Sequence, residues 1–251
     1  PAICQRWSER ARATPRCSSY NPSMLSLYQK IAVLALPILF AITVHEAAHG
    51  WMAKHLGDRT AEMLGRVTLN PLKHIDPIGT ILVPLVVFFM SGFVFGWAKP
   101  VPVNFNNLNH PRRDTALVAL AGPGANLLMA LLWALGILLG VALVDSTQWI
   151  AVPLILMGVA GVLFNAVLMA LNLLPILPLD GGRVLHSLLP PRMALAYSRL
   201  EGFGLIIVVL LLATGLLGFI LWPLVGLTIG LLPATDIVLE YVPVILSPAR
   251  S

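Results

Sequence analysis

Residues 31–53 read IAVLALPILFAITVHEAAHGWMA, an apolar run long enough to cross a bilayer that carries His45, Glu46 and His49 in its later third. Ionisable side chains are costly in hydrocarbon, so a polar triplet placed there marks a functional site. On a helix, residues four apart share a face. Both imidazoles can therefore reach one metal ion, while Glu46 stands beside them to handle a water. An HExxH in a soluble helix is a middling signal, but inside an apolar segment it is a strong one.

The rest of the chain agrees with a membrane setting. Of 251 residues, 58% are hydrophobic and 11% charged, against about 25% charged in soluble domains. Mean hydropathy is +0.87. These values predict an all-α polytopic membrane protein, a transmembrane helix bundle in contact with lipid. The net charge of +5 resembles a nucleic-acid binder only if the membrane is ignored. Basic residues beside spans are topology signals, and no nucleic-acid partner is expected. Cys4 and Cys17 both precede the first apolar run, so neither a disulfide framework nor a thiolate metal site is implied for the core.

Along the chain, residues 1–23 form a polar, Arg-rich arm that reads as lying on headgroups, as left from targeting, or as a non-native or disordered stretch, and Met24 offers an alternative start. Residues 24–251 then read as a single domain. A first span covers about Leu25 to Ala53, with Pro37 as a possible kink. Residues 54–76 hold too many charges to cross, and the alternation Arg66-Val67-Thr68-Leu69-Asn70 predicts a short strand in a membrane-associated β-hairpin. Such an edge would suit an extended peptide, although an ordinary surface hairpin gives the same pattern. Pro77 to Trp97 is apolar but broken by Gly79, Pro84, Gly92 and Gly96, which suits a re-entrant segment. Thr115 to Val144 and Trp149 to Leu174 are spans, joined by the turn Asp145-Ser146-Thr147-Gln148. The last apolar region, Phe203 to Leu232, is interrupted by Pro223.

HEAAH supplies two ligands, whereas zinc in a hydrolase takes three from the protein plus a water. Asp180 is the best third candidate. Its surroundings, LNLLPILPLDGG, set prolines and glycines around a carboxylate at the end of an apolar helix, and such backbone is tolerated at membrane depth only when enclosed by protein or a wet cavity. Glu62 competes for the role, but its polar neighbourhood beside Arg66 favours a solvated ion pair. Asn172, on the approach to the same turn, reads as a substrate or oxyanion contact. Asn165 reads as structural, Asn126 and Gly122 as packing, and His74 and His110 as solvated loop residues. His55 and His186 flank apolar segments without a second ligand at metal spacing.

Five stretches together resemble the site-2 protease family of intramembrane zinc metalloproteases, in its compact form without a PDZ or CBS domain. They are HEAAHG (45–50), LGRVTLNPLKHIDPIGT (64–80), FGWAKPVPVN (95–104), RRDTALVALAGPGAN (112–126) and NLLPILPLDGGR (172–183). The resemblance implies zinc ligands at His45, His49 and Asp180, a catalytic Glu46, and a functional asparagine at Asn172. It implies hydrolysis of peptide bonds in the transmembrane segments of other proteins after local unwinding. The spelling Gly124-Ala125 within the GP motif departs from the family pattern without touching a ligand.

Geometry adds a constraint on topology. The three ligands must meet at one depth, which a full crossing by Pro77 to Trp97 would prevent in a layer about 30 Å thick. A re-entrant segment removes the conflict. It also gathers Lys54, Arg59, Arg66, Lys73, Lys99, Arg112, Arg113, Arg183, Arg192 and Arg199 on one side, cytoplasmic by the positive-inside rule, with Lys30 and the arm beginning opposite. The expectation is a multi-pass protein of the plasma (inner) membrane with its active site nearer the cytoplasm. Two alternatives stay open: a zinc metalloprotease acting on peptides at the membrane surface, and a non-enzymatic membrane scaffold.

Overall fold

The computed structural model describes residues 26–74, 76, 79 and 99–246, and every regular element among them is helical. Helix α1 (Leu27–His55) opens on a capping box. Ser26 Oγ accepts the Gln29 N–H at 3.4 Å, and Gln29 Oε1 accepts the Ser26 N–H at 3.0 Å. The helix runs through Pro37 and closes at Gly57, whose φ of +113° suits glycine. There the Asp58 N–H returns to the Ala53 carbonyl at 2.9 Å and the Gly57 N–H to Lys54 at 3.4 Å, a Schellman closure.

Among the described residues eight further α-helices follow: α2 (Thr60–Met63), α3 (Pro111–Leu143), α4 (Gln148–Asn172), α5 (Asp180–Leu188), α6 (Pro191–Ser198), α7 (Gly204–Ala213), α8 (Leu216–Gly230) and α9 (Thr235–Leu246). Four stretches of the described residues are long and apolar enough to cross a membrane: Tyr28–His55, Pro111–Leu143, Gln148–Asn172 and Pro191–Ala213, the last in consecutive helical pieces. Ile31, Leu36 and Phe40 of α1 and Leu128, Leu132 and Leu139 of α3 lie exposed. Such a surface would be an aggregation hazard in water, whereas hydrocarbon is its natural solvent. The chain is a multi-helix membrane protein.

The chain divides into two compact units. One takes the described residues of 1–38, 129–164 and 226–251. Its helices approach closely through small residues: a Cβ on Gly158 would stand 2.5 Å from Ile137, and one on Gly161 would stand 2.2 Å from the Trp133 ring. The other unit takes 39–128 and 165–225 and contains every sequence-predicted site residue. One of its apolar clusters joins Ala53, Leu108 and Val118, and another joins Leu174, Val208 and Leu217. The second cluster seats α7 and α8 on the turn that leads into α5, with Ile176 and Leu179 packed against it.

Three expectations need correction. No strand occurs among the described residues, so the β-hairpin at 66–70 is absent. The alternation there is real, but local bonds satisfy its polar groups in place of a ladder. Thr68 Oγ1 accepts the Asn70 N–H at 3.2 Å, and Asn70 Oδ1 accepts the Leu72 N–H at 3.1 Å, capping a single 3₁₀ turn at Pro71–Lys73. His74 is buried instead of solvated, because this loop folds back until its Nε2 donates to the Thr68 carbonyl at 3.0 Å. The last apolar region breaks at Gly215, φ +75°, while Pro223 lies inside α8. The arm at 1–23 and, but for residue 79, the segment 77–97 read as re-entrant fall outside the described residues.

Candidate metal centre

Helix α1 carries His45 and His49 one turn apart, so their rings project together. They meet Asp180, the first residue of α5. His45 Nε2 and His49 Nε2 each lie 3.3 Å from Asp180 Oδ2 and 3.1 Å from one another. Only 6%, 12% and 12% of the three side chains is exposed.

The carboxylate is delivered by a tightly folded turn. After α4, the Ile176 N–H bonds to the Leu174 carbonyl and the Leu179 N–H to Ile176, both at 2.8 Å, which brings the chain sharply round. The two glycines after Asp180 allow this packing. A Cβ on Gly181 would stand 2.2 Å from the Leu173 carbonyl oxygen, and one on Gly182 would stand 2.5 Å from the Ile176–Leu177 peptide. Backbone in both places leaves no room for a side chain. Arg183 then steadies α5 by lying over the Phe105 ring at 5.0 Å.

One stripe of α3 fixes the imidazoles from behind. Val118, Gly122 and Asn126 are spaced four apart and therefore share a face. His49 Nδ1 lies 2.7 Å from the Val118 carbonyl, which can only accept, so His49 Nδ1 carries the proton. His45 Nδ1 lies 2.6 Å from Asn126 Oδ1. The Asn126 amide is oriented by its other end: Nδ2 donates to the Ala41 carbonyl at 3.2 Å and to Asn165 Oδ1 at 2.9 Å. Oδ1 therefore faces His45 as an acceptor, and His45 Nδ1 is also the protonated nitrogen. Between them Gly122 has no side chain, and a Cβ there would stand 2.4 Å from His49 Nε2 and 2.6 Å from His45 Cε1.

With both protons on Nδ1, the two Nε2 atoms and Asp180 Oδ2 converge as lone pairs. Asp180 Oδ2 is buried without a hydrogen-bond donor. Three acceptors at this separation repel unless a cation lies among them. Ligands about 2.0–2.1 Å from a tetrahedral zinc stand about 3.3 Å apart, and the observed edges match. Among the described residues, this is the one group of His, Cys, Asp and Glu side chains gathered closely enough to hold a metal. The donor set fits zinc.

Glu46, beside the triad on α1, accepts the Val101 N–H on Oε2 at 2.8 Å. Asn172 Nδ2 donates to the Leu168 carbonyl at 2.9 Å, one turn back on α4. Glu62 forms the expected ion pair, but with Lys54 at 2.5 Å and Arg59 at 3.9 Å in place of Arg66. His110 is exposed. Asn126 and Gly122 do more than pack, since one sets the tautomer of a ligand and the other makes space for both rings. The 118/122/126 stripe was present in the sequence, but choosing it required the antiparallel register of α3 against α1.

The chain is 36% identical over 208 residues to the "Putative zinc metalloprotease YwhC" of Bacillus subtilis (strain 168), covering 82% of this chain and 90% of that protein. It is 33% identical over 181 residues to the "Putative zinc metalloprotease Rip2" of Mycolicibacterium smegmatis, covering 70% of this chain and 64% of that protein. The Rip2 of Mycobacterium tuberculosis (strain H37Rv) is 32% identical over 186 residues. No family model and no solved structure matches the chain.

Proposed function

The chain belongs to the site-2 protease family of zinc metalloproteases, and from that premise we propose that it cleaves peptide bonds within or beside the transmembrane segments of other membrane proteins. The convergence of three buried lone pairs from His45, His49 and Asp180, on helices apolar enough to span, carries this reading. These three residues would hold a zinc ion, which would supply Lewis acidity and lower the pKa of a water toward about 7.

Glu46 is the general base. It takes a proton from the attacking water and returns it to the leaving amide nitrogen. Its position one residue from His45 sets its carboxylate beside the ligands without making it one of them. Asn172 steadies the developing oxyanion or holds the peptide extended. Its Nδ2 carries a second N–H beyond the one given to Leu168, which supports this role. A transmembrane helix keeps its carbonyls bonded internally, so the substrate is locally unwound before it is cut. Segments with central helix-breaking residues are therefore preferred. The basic residues between the spans support an orientation in the plasma (inner) membrane with the site nearer the cytoplasm.

The test uses purified chain in detergent and a membrane protein with one transmembrane segment bearing a central Gly or Asn. Wild type is expected to hold about one zinc and to cut. Glu46→Gln is expected to keep the zinc while cleavage falls by about 10²–10⁴, and Asp180→Asn to lose zinc and cleavage together. Near wild-type cutting by zinc-loaded Glu46→Gln removes Glu46 as the base. A soluble peptide cut as fast as the membrane substrate points instead to action at the membrane surface. A wild-type chain without stoichiometric zinc points to a scaffold.

A further inference from the structure

Glu46 does not hold its orientation alone. Its Oε2 accepts the N–H of Val101, which belongs to the segment Lys99-Pro100-Val101-Pro102-Val103. Proline has no N–H, so Val101 is the only backbone donor between Lys99 and Val103. Lys99 and Val101 each precede a proline and are biased toward extended backbone, while the prolines fix their own φ. The segment is therefore stiff and presents a single N–H where Glu46 needs one.

Other groups set where that segment lies. Arg66 Nη2 donates to the Lys99 carbonyl at 3.0 Å and reaches the Pro100 carbonyl at 3.4 Å. The Lys99 N–H donates to the His74 carbonyl at 2.9 Å. Helix α1 offers a flat seat at Gly50, one turn beyond Glu46: a Cβ there would stand 3.0 Å from both Val101 Cγ1 and Val67 Cγ2. Arg66 and Val67 thus press the segment against the face of α1 that carries Glu46.

We propose that Arg66 is a positioning residue for Glu46, acting through the backbone of residues 99–101. The proposal rests on the reading of Glu46 as the general base. With Oε2 held by the Val101 N–H, rotation of the carboxylate is stopped and Oε1 is left as the basic oxygen. A single nitrogen of Arg66, Nη2, serves both neighbouring carbonyls, and the guanidinium keeps its charge on a rigid planar head. Without Arg66 the segment loses its clamp, the Val101 N–H drifts, and the base samples unproductive rotamers. Small displacements of a reacting group cost rate far more than they cost binding.

The experiment measures kcat, KM and zinc content of the full chain in detergent. Arg66→Ala is expected to lower kcat about 10-fold with KM and zinc unchanged, and Arg66→Lys to recover part of that loss. Val101→Pro, which removes the N–H directly, is expected to reproduce the effect. In a Glu46→Asp background, whose shorter side chain cannot keep the Val101 bond, Arg66→Ala is expected to change kcat less than about twofold, because coupled groups are non-additive. An equal drop in both backgrounds, a rise in KM alone, loss of zinc in Arg66→Ala, or wild-type kcat in Val101→Pro overturns the proposal. Undiminished cleavage by zinc-loaded Glu46→Gln instead overturns the base assignment itself, so the two failures are told apart.

Discussion

At the scale of single residues, the centre is defined by which nitrogen carries a proton. His45 and His49 are suited to bind a metal because Asn126 and the Val118 carbonyl hold their protons on Nδ1 and turn both Nε2 lone pairs inward. The grouping of His45, His49 and Asp180 was legible in the sequence, since HExxH spacing follows the helical period and a carboxylate in a proline–glycine turn is conspicuous beside an apolar helix. Their supporting groups were not. A backbone carbonyl leaves no trace in sequence, and Asn126 in a GPGAN run looks like packing until α3 is laid antiparallel to α1. Gly122 gives the sharpest residue-level test. A methyl group at this position would stand 2.4 Å from His49 Nε2, and the atoms that must yield are the ligand rings themselves. Gly122→Ala is expected to reduce zinc occupancy below half, measured by elemental analysis, with helical content by circular dichroism unchanged. Full occupancy would mean that α3 can retreat, and that the close approach is not required.

At the scale of elements, the long helices α1, α3 and α4 were legible and the segment after α1 was not. Arg66 to Asn70 alternates like a strand, but a strand needs a partner, and the Thr68 and Asn70 side chains provide local bonds in its place. What organises this region is Asp58, which is fully buried just beyond the end of α1. Its carboxylate accepts the Thr60 N–H and hydroxyl, the Asn104 N–H at 2.7 Å and the Asn107 amide at 3.1 Å. Burial disfavours the charge, but these bonds outweigh it and hold the carboxyl below its usual range. The sign follows directly. A depressed folded-state pKa contributes stability that is present above the unfolded value, about 3.9, and is lost as pH falls through the folded value. Asp58→Asn turns an amide N–H toward a neighbouring N–H, and is expected to cost about 1–3 kcal/mol at neutral pH. Its thermal midpoint in detergent should lie below that of wild type across the neutral range, with the gap narrowing only below about pH 3.9. A gap already closed near neutrality would show that the charge contributes nothing.

At the scale of the whole molecule, composition announced the membrane, and the spans at α1, α3 and α4 followed from unbroken apolar length. The interruption near the C-terminal end was misplaced, because a proline inside a helix is more conspicuous than a glycine that ends one. Sequence also could not say what keeps neighbouring spans from sliding past one another, since lipid gives apolar helices little reason to prefer one vertical offset over another. Asn126 answers that. Its amide is bonded at once to His45 and Ala41 of α1 and to Asn165 of α4, with α3 supplying the residue itself. A shift of any one helix by a single turn, about 5.4 Å, would break its bond to this side chain. The consequence concerns the thickness of the host bilayer. Spans that are free to slip can meet a thinner or thicker membrane by changing offset, whereas spans pinned at one level must tilt together or deform the lipid. Reconstituted in phosphatidylcholines of increasing acyl length, wild type should keep its zinc across the series, whereas Asn126→Leu should lose it progressively away from the best-matched lipid. Equal thickness dependence in the two would assign the vertical registry to packing alone.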